Sequence, residues 1–308
     1  MTSLEILQNF DKNSLPDLDV VILGALELFA EEDVQKINIE FKKPLVLGSE
    51  GALATGRIMF HDKQALFASE SNYQEVLETS GVDGVVIISA SGGKHAKEIA
   101  DTLQSSDTPV VLITNNPSAP AAEFVTKENI FLLPKNREPY TYNTSTYLGM
   151  ILAFSESDAG EISKFILEKL DKFILRDLSK YSSYTFILPK EFSLLTEHIR
   201  IKFEELFIPQ VWGRAYTEEG IKHAKTIVSS DDELFISLGT ENKHFGQSQH
   251  RLHLPLPDNS TYASTMASAY YIIGRIQAAQ TPYFKNNIEK YTVAASRIFG
   301  EKISVIVE

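Results

Sequence analysis

A short run of serines and glycines between two apolar segments carries the clearest chemistry in this chain. The run Ser89–Gly93 (SASGG) follows the β-branched segment Val85–Ile88 and precedes a helical pattern, after which a second apolar segment, Val110–Thr114, begins. This order predicts a β-turn-α-β unit. Backbone N–H groups at the start of the helix would point into the turn, where they and the helix dipole favour a small anion. The sequence therefore predicts an anion site, of the size of a phosphate, at this turn.

The elements that must position this turn alternate between strand and helix along most of the chain. Apolar strand patterns lie at 44–48, 64–68, 84–88, 109–114, 130–133, 184–188, 233–238, 250–254 and 303–307. Helical patterns lie at 17–38, 51–60, 73–79, 94–104, 191–207 and 263–279, and 139–174 is mostly helical with a break near 155–160. Such alternation is typical of parallel, doubly wound sheets.

The second half of the chain repeats the plan of the first. We therefore predict an α/β protein with two tandem domains, each a doubly wound parallel sheet flanked by helices. The boundary is placed near residues 156–180, which gives predicted domains at 1–160 and 161–308.

The composition narrows the classes of partner. The formal net charge is −12 and no run rich in Lys and Arg is present, which argues against a nucleic-acid partner. The chain has no cysteine, and His250 and His253 would point to opposite faces of a strand, so we expect no metal site and no cofactor.

The N-terminus lacks the pattern of a secretory signal, and no apolar stretch is long enough to cross a bilayer. These features predict a cytoplasmic protein with no membrane partner.

Three turns of the first half resemble motifs of one family. The segment Ser89–Lys94 (SASGGK) resembles the S-x-S-G-x-T phosphate loop of sugar isomerase (SIS) domains. Glu138–Ser145 (EPYTYNTS) is similar to their E-x-x-x-A-S-T-K turn, and Gly48–Gly51 (GSEG) sits where they carry a G-T-S or G-S-G turn. All three turns lie at the carboxyl ends of predicted parallel strands, or follow the last of them, where ligands bind in open α/β sheets.

The second half resembles the isomerase domain of glucosamine-6-phosphate synthases. Residues 197–204 (EHIRIKFE) are similar to an E-x-x-x-K-x-K-E helix, and 219–223 (EGIKH) to a G-E-L-K-H-G-P turn. The segment 302–308 (KISVIVE) is similar to the lysine-bearing C-terminus K-S-V-T-V-E of that domain. The resemblance thus covers both halves, in the same order as in the family, which also includes phosphosugar isomerases and deglycases.

The resemblance implies a set of residues that bind the substrate phosphate. Serine and threonine hydroxyls, glycine N–H groups and one lysine ammonium would hold it: Ser49, Ser89, Ser91, Thr144, Gly92, Gly93 and Lys94. Lys94 stands where the family has threonine, and it can hold phosphate as a point charge. Glu50 places a carboxylate where a hydroxyl is expected, which would repel phosphate unless it faces away.

The resemblance also implies catalytic roles. Glu204 would carry a proton between C1 and C2 of the sugar, His223 would open the ring, and Lys302 would stabilise the oxyanion. The implied function is aldose–ketose isomerisation of a phosphorylated hexose by a homodimer. Isomerisation, deamination or deglycation of an amino-sugar phosphate stays open. So does a sensor or scaffold that binds a sugar phosphate without catalysis, which the altered residues Lys94 and Glu50 favour.

Overall fold

The computed structural model describes residues 1–32, 34–174, 177–224, 228, 230–300 and 302–308, with the side chains of Thr79, Ser80 and Lys94 left out. In chain order the helices and strands are α1 (Ser3–Asn9), α2 (Leu18–Glu31), β1 (Pro44–Leu47), α3 (Glu50–Met59), β2 (Leu66–Ala68), α4 (Tyr73–Ser80), β3 (Gly84–Ile88), α5 (Lys94–Leu103), β4 (Val110–Thr114), β5 (Ile130–Leu132), β6 (Glu138–Pro139), α6 (Thr144–Ala153), α7 (Ala159–Glu168), β7 (Ser183–Leu188), α8 (Leu195–Leu206), β8 (Trp212–Thr217), β9 (Glu233–Leu238), β10 (Arg251–Leu254), α9 (Tyr262–Ala279), α10 (Tyr283–Phe299) and β11 (Ile306–Val307).

The chain forms two compact units, neither of which is continuous in sequence. The first unit consists of residues 33–135 and 146–156, and the second of residues 1–32, 136–145 and 157–308. Each unit contains one parallel sheet flanked by helices, which confirms the predicted α/β class. The division of the chain near residue 160 into two tandem domains of one type stays a prediction.

The sheet of the first unit has the strand order β2-β1-β3-β4-β5, and every neighbouring pair is parallel. Its central strand β3 is buried along its whole length, because helices cover both faces of such a sheet. On one face Leu45 and Val85 pack with Ile99 and Leu103 of α5 in a hydrophobic cluster. The carboxyl ends of β1 and β3 therefore emerge from a rigid core.

The sheet of the second unit has the order β10-β9-β7-β8 and is also parallel. Helix α8 packs on it through Phe203, whose ring lies so close to Gly213 of β8 that a Cβ there would come within 1.9 Å of it. A separate antiparallel pair joins β11 to β6, with Ile306 opposite Pro139.

Three parts of the sequence prediction differ from the structure. The opening helix ends at Glu31 and not at residue 38, since Glu32 is already extended. The predicted helical range 139–174 begins with the last residue of β6 and a turn, and its first helix, α6, begins only at Thr144. Strand β8 and helices α1 and α10 were not predicted. In the described residues no helix has the length and apolar character needed to cross a membrane, and no group of three or more His, Asp or Glu side chains is arranged to bind a metal.

Candidate functional site

The centre of the first sheet is a topological switch point. The chain passes from β1 to β2 on one side and places β3 on the other, so the connections leave the carboxyl ends of β1 and β3 in opposite directions. Leu47 pairs with Ile87 across these strands, and Ser49 and Ser89 each follow that pair by two residues. The structure thus brings Ser49 and the Ser89–Gly93 turn to one edge of the sheet, where ligands bind in open α/β folds.

The Ser89–Gly93 turn is organised by its own hydroxyls. The Gly92 N–H donates to Ser89 Oγ at 3.1 Å, and the Gly93 N–H donates to Ser91 Oγ at 3.2 Å. The two glycine N–H groups predicted to bind phosphate are therefore engaged within the turn. A hydroxyl that accepts a hydrogen bond keeps its own proton to donate, so both serines still offer an O–H to an anion.

Side chains at and just after the carboxyl end of β4 hold the Ser89–Gly93 turn by donating hydrogen bonds to its carbonyl groups. Thr114 Oγ1 donates to Ala90 O at 3.1 Å, and Asn116 Nδ2 donates to Ser91 O at 2.8 Å. The Gly92 carbonyl accepts the Ala121 N–H at 3.0 Å. Gly92 has φ +59°, and a Cβ there would lie 2.4 Å from the Ala119 Cβ, so this position requires glycine.

Two helix N-termini open at this edge. Ser49 precedes α3 and makes no side-chain hydrogen bond to it in the described residues, and Gly93, which precedes α5, has no side chain that could cap it. Their first-turn N–H groups carry partial positive charge that suits an anion. Glu50 is exposed in the first turn of α3, with φ +38°, and brings negative charge to the same edge. The predicted side-chain contact of Lys94 lies outside the described residues.

Thr144, also predicted to bind phosphate, belongs to the second unit. It is fully buried, its N–H donates to Glu138 Oε2 at 2.6 Å, and its hydroxyl donates to Tyr142 O at 3.3 Å. The Ser145 N–H donates to the other Glu138 oxygen at 2.6 Å. Burial raises the pKa of Glu138, while the hydrogen bonds from Ser145 and Thr144 oppose the increase. Glu138 thus caps α6, and the role of Thr144 in phosphate binding stays a prediction.

Helix α8 presents two adjacent carboxylates in different environments. Glu204 is half-exposed and pairs with Arg200 at 2.6 Å on the outer side of the helix. Glu205 pairs at 2.6 Å with Lys202, whose side chain is 1% exposed. Burial raises the pKa of Glu205, and the Lys202 ammonium limits the increase. Glu205, which the sequence analysis did not select, is therefore the carboxylate that lies partly buried beside a buried cation on this helix.

The two other predicted catalytic residues lie in exposed parts of the second unit. His223 ends a short 3₁₀ turn, Gly220–His223, that follows β8. Lys302 lies between α10 and β11. Their roles, and that of Glu204, stay predictions.

Solved structures of phosphosugar proteins share this fold. The C-terminal domain of glucosamine-fructose-6-phosphate aminotransferase from Francisella tularensis matches with a TM-score of 0.62 at 12% identity, over 87% of this chain and 98% of that one. Glucosamine-6-phosphate deaminase from Thermotoga maritima matches with a TM-score of 0.61 at 16% identity, over 85% and 92%. Tagatose-6-phosphate ketose/aldose isomerase from Escherichia coli matches with a TM-score of 0.53 at 12% identity, over 91% of each chain.

No protein-family model and no curated protein sequence matches the chain. At these low identities the structural matches establish the fold alone. The chain has the fold of the SIS-domain phosphosugar proteins, which confirms the resemblance drawn from its motifs at the level of architecture.

Proposed function

We propose that this chain binds a phosphorylated hexose and interconverts its aldose and ketose forms. The observation that carries the proposal is the edge of the first sheet: a serine-rich turn and two helix N-termini without side-chain caps meet at the switch point between β1 and β3. The shared fold supports it, since solved structures with this architecture include sugar-phosphate isomerases and deaminases by their descriptions.

The phosphate would be bound by donors that the turn already orients. The Ser89 and Ser91 oxygens accept the glycine N–H bonds, which leaves their O–H groups to donate to a phosphate. The first-turn N–H groups of α5 and the Ser49 hydroxyl would add donors from the same edge. Lys94, at the first position of α5, would add a positive charge.

Isomerisation needs a base that removes a proton from C2 of the aldose and returns it to C1 through an enediolate. We assign this role to Glu205, because its carboxylate is partly buried, lies 2.6 Å from the Lys202 ammonium and has its pKa raised by burial. In this scheme His223 opens the sugar ring and Lys302 stabilises the enediolate oxygen, as the family resemblance implies. The same base would serve an amino-sugar phosphate, whose isomerisation or deamination begins with the same proton transfer.

A second candidate function is sugar-phosphate binding without turnover. Two features favour it: the Gly92 and Gly93 N–H groups are already engaged, and Glu50 places a carboxylate in the first turn of α3. Binding alone would need only the phosphate turn, and Glu205 would then serve no chemical step.

Paired variants on α8 separate these functions. Ligand binding is measured as the rise in melting temperature with hexose 6-phosphates, using the free hexoses as controls, and turnover is measured with the same compounds. Saturation at about 100 times Kd should stabilise the protein by about 2.7 kcal/mol. Glu205→Gln should lower kcat by about 10²–10⁴-fold while this stabilisation persists, since the amide cannot take up a proton. The matched control Glu204→Gln should keep its activity within a few-fold.

Three results would change the assignment. Stabilisation by no sugar phosphate would refute the phosphosugar site itself. Stabilisation without turnover in the unmodified protein would favour the binding function. Loss of turnover in Glu204→Gln but not in Glu205→Gln would return the base to Glu204.

A further inference from the structure

The turn that precedes α6 is strained. Thr141 has φ +76° and Asn143 has φ +44°, in the left-handed region that residues with a Cβ rarely occupy. The β-branched side chain of threonine makes this conformation particularly unfavourable. Such backbone persists only where surrounding contacts enforce it, and strain of this kind concentrates at functional sites.

Two buried side chains of opposite charge hold this turn from either end. The Lys202 ammonium donates to Thr141 O at 3.1 Å and to Tyr142 O at 2.6 Å. The Glu138 carboxylate accepts the N–H groups of Thr144 and Ser145, each at 2.6 Å. A cation thus binds the carbonyl groups of the turn, and an anion binds the amide groups that follow it.

The donors of Lys202 are fully used by these contacts. An ammonium group has three N–H donors, and the third binds Glu205 Oε2 at 2.6 Å. The side chain is 1% exposed and its ammonium lies 5.6 Å from the centre of the Tyr270 ring. A cation buried in this way must be paired, and all its pairing is directed to the turn and to Glu205.

We infer that Lys202 is a positioning residue: its ammonium clamps the strained turn Thr141–Asn143 to helix α8, and so fixes the start of α6 and the carboxylate of Glu205 together. The inference deepens the proposed function, because one residue then orients both the candidate base and a turn that the family resemblance connects with phosphate. Lys202 itself does not touch the substrate in this scheme.

Lys202→Met tests the clamp, because methionine has a similar length and no charge. The matched control is Lys164→Met, an exposed lysine on α7 of the same unit. Hydrogen exchange is measured in the ligand-free protein, so the result stands whether or not any sugar phosphate is turned over. We expect the Thr144 and Ser145 amides to exchange at least 10-fold faster in Lys202→Met, and at the unmodified rate in Lys164→Met.

A second readout follows the Glu205 carboxyl carbon by NMR during a pH titration. Loss of the neighbouring ammonium should move its titration to higher pH in Lys202→Met, whereas general loosening of the fold would move it toward the value of free glutamate. If turnover is observed, KM for the sugar phosphate should rise and kcat should fall together, with partial recovery in Lys202→Arg.

Two outcomes would overturn the inference. Unchanged exchange at the turn combined with a loss of kcat alone would mean that Lys202 acts on the substrate directly. Faster exchange throughout the second unit, with none specific to 141–145, would reduce Lys202 to a general contribution to stability. If Lys202→Met does not fold, Thr141→Gly in that background is the decisive variant. Glycine accepts φ +76° freely, so folding should be restored, and continued failure to fold would refute the clamp.

Discussion

Replacing Gly92 by alanine tests whether the Ser89–Gly93 turn is built as described. The new Cβ would occupy φ +59° and lie 2.4 Å from the Ala119 Cβ. The left-handed conformation costs about 1–2 kcal/mol for an alanine. The contact is more than about 1 Å shorter than carbon atoms normally allow, which adds about 1–3 kcal/mol of overpacking. We therefore expect the free energy of unfolding to fall by about 2–5 kcal/mol.

Gly81 provides a matched control for this estimate. It has φ +57°, and a Cβ there would meet nothing within 4 Å. Gly81→Ala should therefore show only the conformational cost of about 1–2 kcal/mol. The two positions have nearly the same φ, but only the Cβ at position 92 meets a neighbouring atom. The difference between the two losses of unfolding free energy therefore measures the contact with Ala119.

Urea unfolding of both variants and of the double variant Gly92→Ala, Ala119→Gly gives the three free energies. Removing the Ala119 Cβ should recover part of the loss, because the Ala119 Cα still lies 3.2 Å from the new Cβ. Equal destabilisation by Gly92→Ala and Gly81→Ala would show that the turn is not packed against Ala119. Full stabilisation of folded Gly92→Ala by a sugar phosphate would show that the phosphate binds elsewhere.

Two further predictions concern the second unit. Burial and the neighbouring Lys202 lower the pKa of His198 to about 3 in the folded protein, whereas in the unfolded state it is about 6.5. As the pH falls from 6.5 towards 3, the unfolded state therefore takes up a proton on this histidine before the folded state does, and the free energy of unfolding decreases. Urea unfolding at several pH values measures this: between about pH 5.5 and 4.5, the free energy of unfolding of His198→Gln should fall by about 1.4 kcal/mol per pH unit less than that of the unmodified protein. The same pH dependence in both proteins would mean that His198 also takes up its proton in the folded state. Arg251 donates to the carbonyl groups of Lys243, Phe245 and Gly246, so Arg251→Ala should speed limited proteolysis of that loop several-fold, and an unchanged cleavage rate would contradict the anchoring role.

The sequence predicts the first and last residues of both strands and of the helix in the β-turn-α-β unit around Ser89–Gly93 to within one residue. The strand β3 is buried on both faces, so its sequence is an uninterrupted β-branched run with turn residues directly after it. Strand β8 gives no such signal. It lies at the edge of its sheet, its residues are exposed or half-buried, and WGRAYT contains neither an apolar run nor a clear alternation.

Helix α8 shows why the buried ion pair of Lys202 and Glu205 could not be predicted from an apolar pattern. The buried positions of this helix repeat at helical spacing: Leu195, His198, Ile199, Lys202, Phe203 and Leu206. A pattern that counts only apolar residues excludes Lys202 from this stripe, so it gives no sign that Glu205 pairs with a buried cation. The glycine N–H bonds to Ser89 and Ser91 could not be predicted, because they depend on side-chain rotamers.

The pairing of β11 with β6 has a consequence for the order in which the chain folds during synthesis. The Tyr140 N–H donates to Val305 O, and Ile306 lies opposite Pro139, so the segment before the strained turn contacts residues made more than 160 positions later. Residues 33–135 and 146–156 have all been synthesised when more than 140 residues of the second unit are still to be added. The first sheet can therefore assemble early, whereas the strand pair beside the strained turn must wait for residues 305–307 at the end of the sequence.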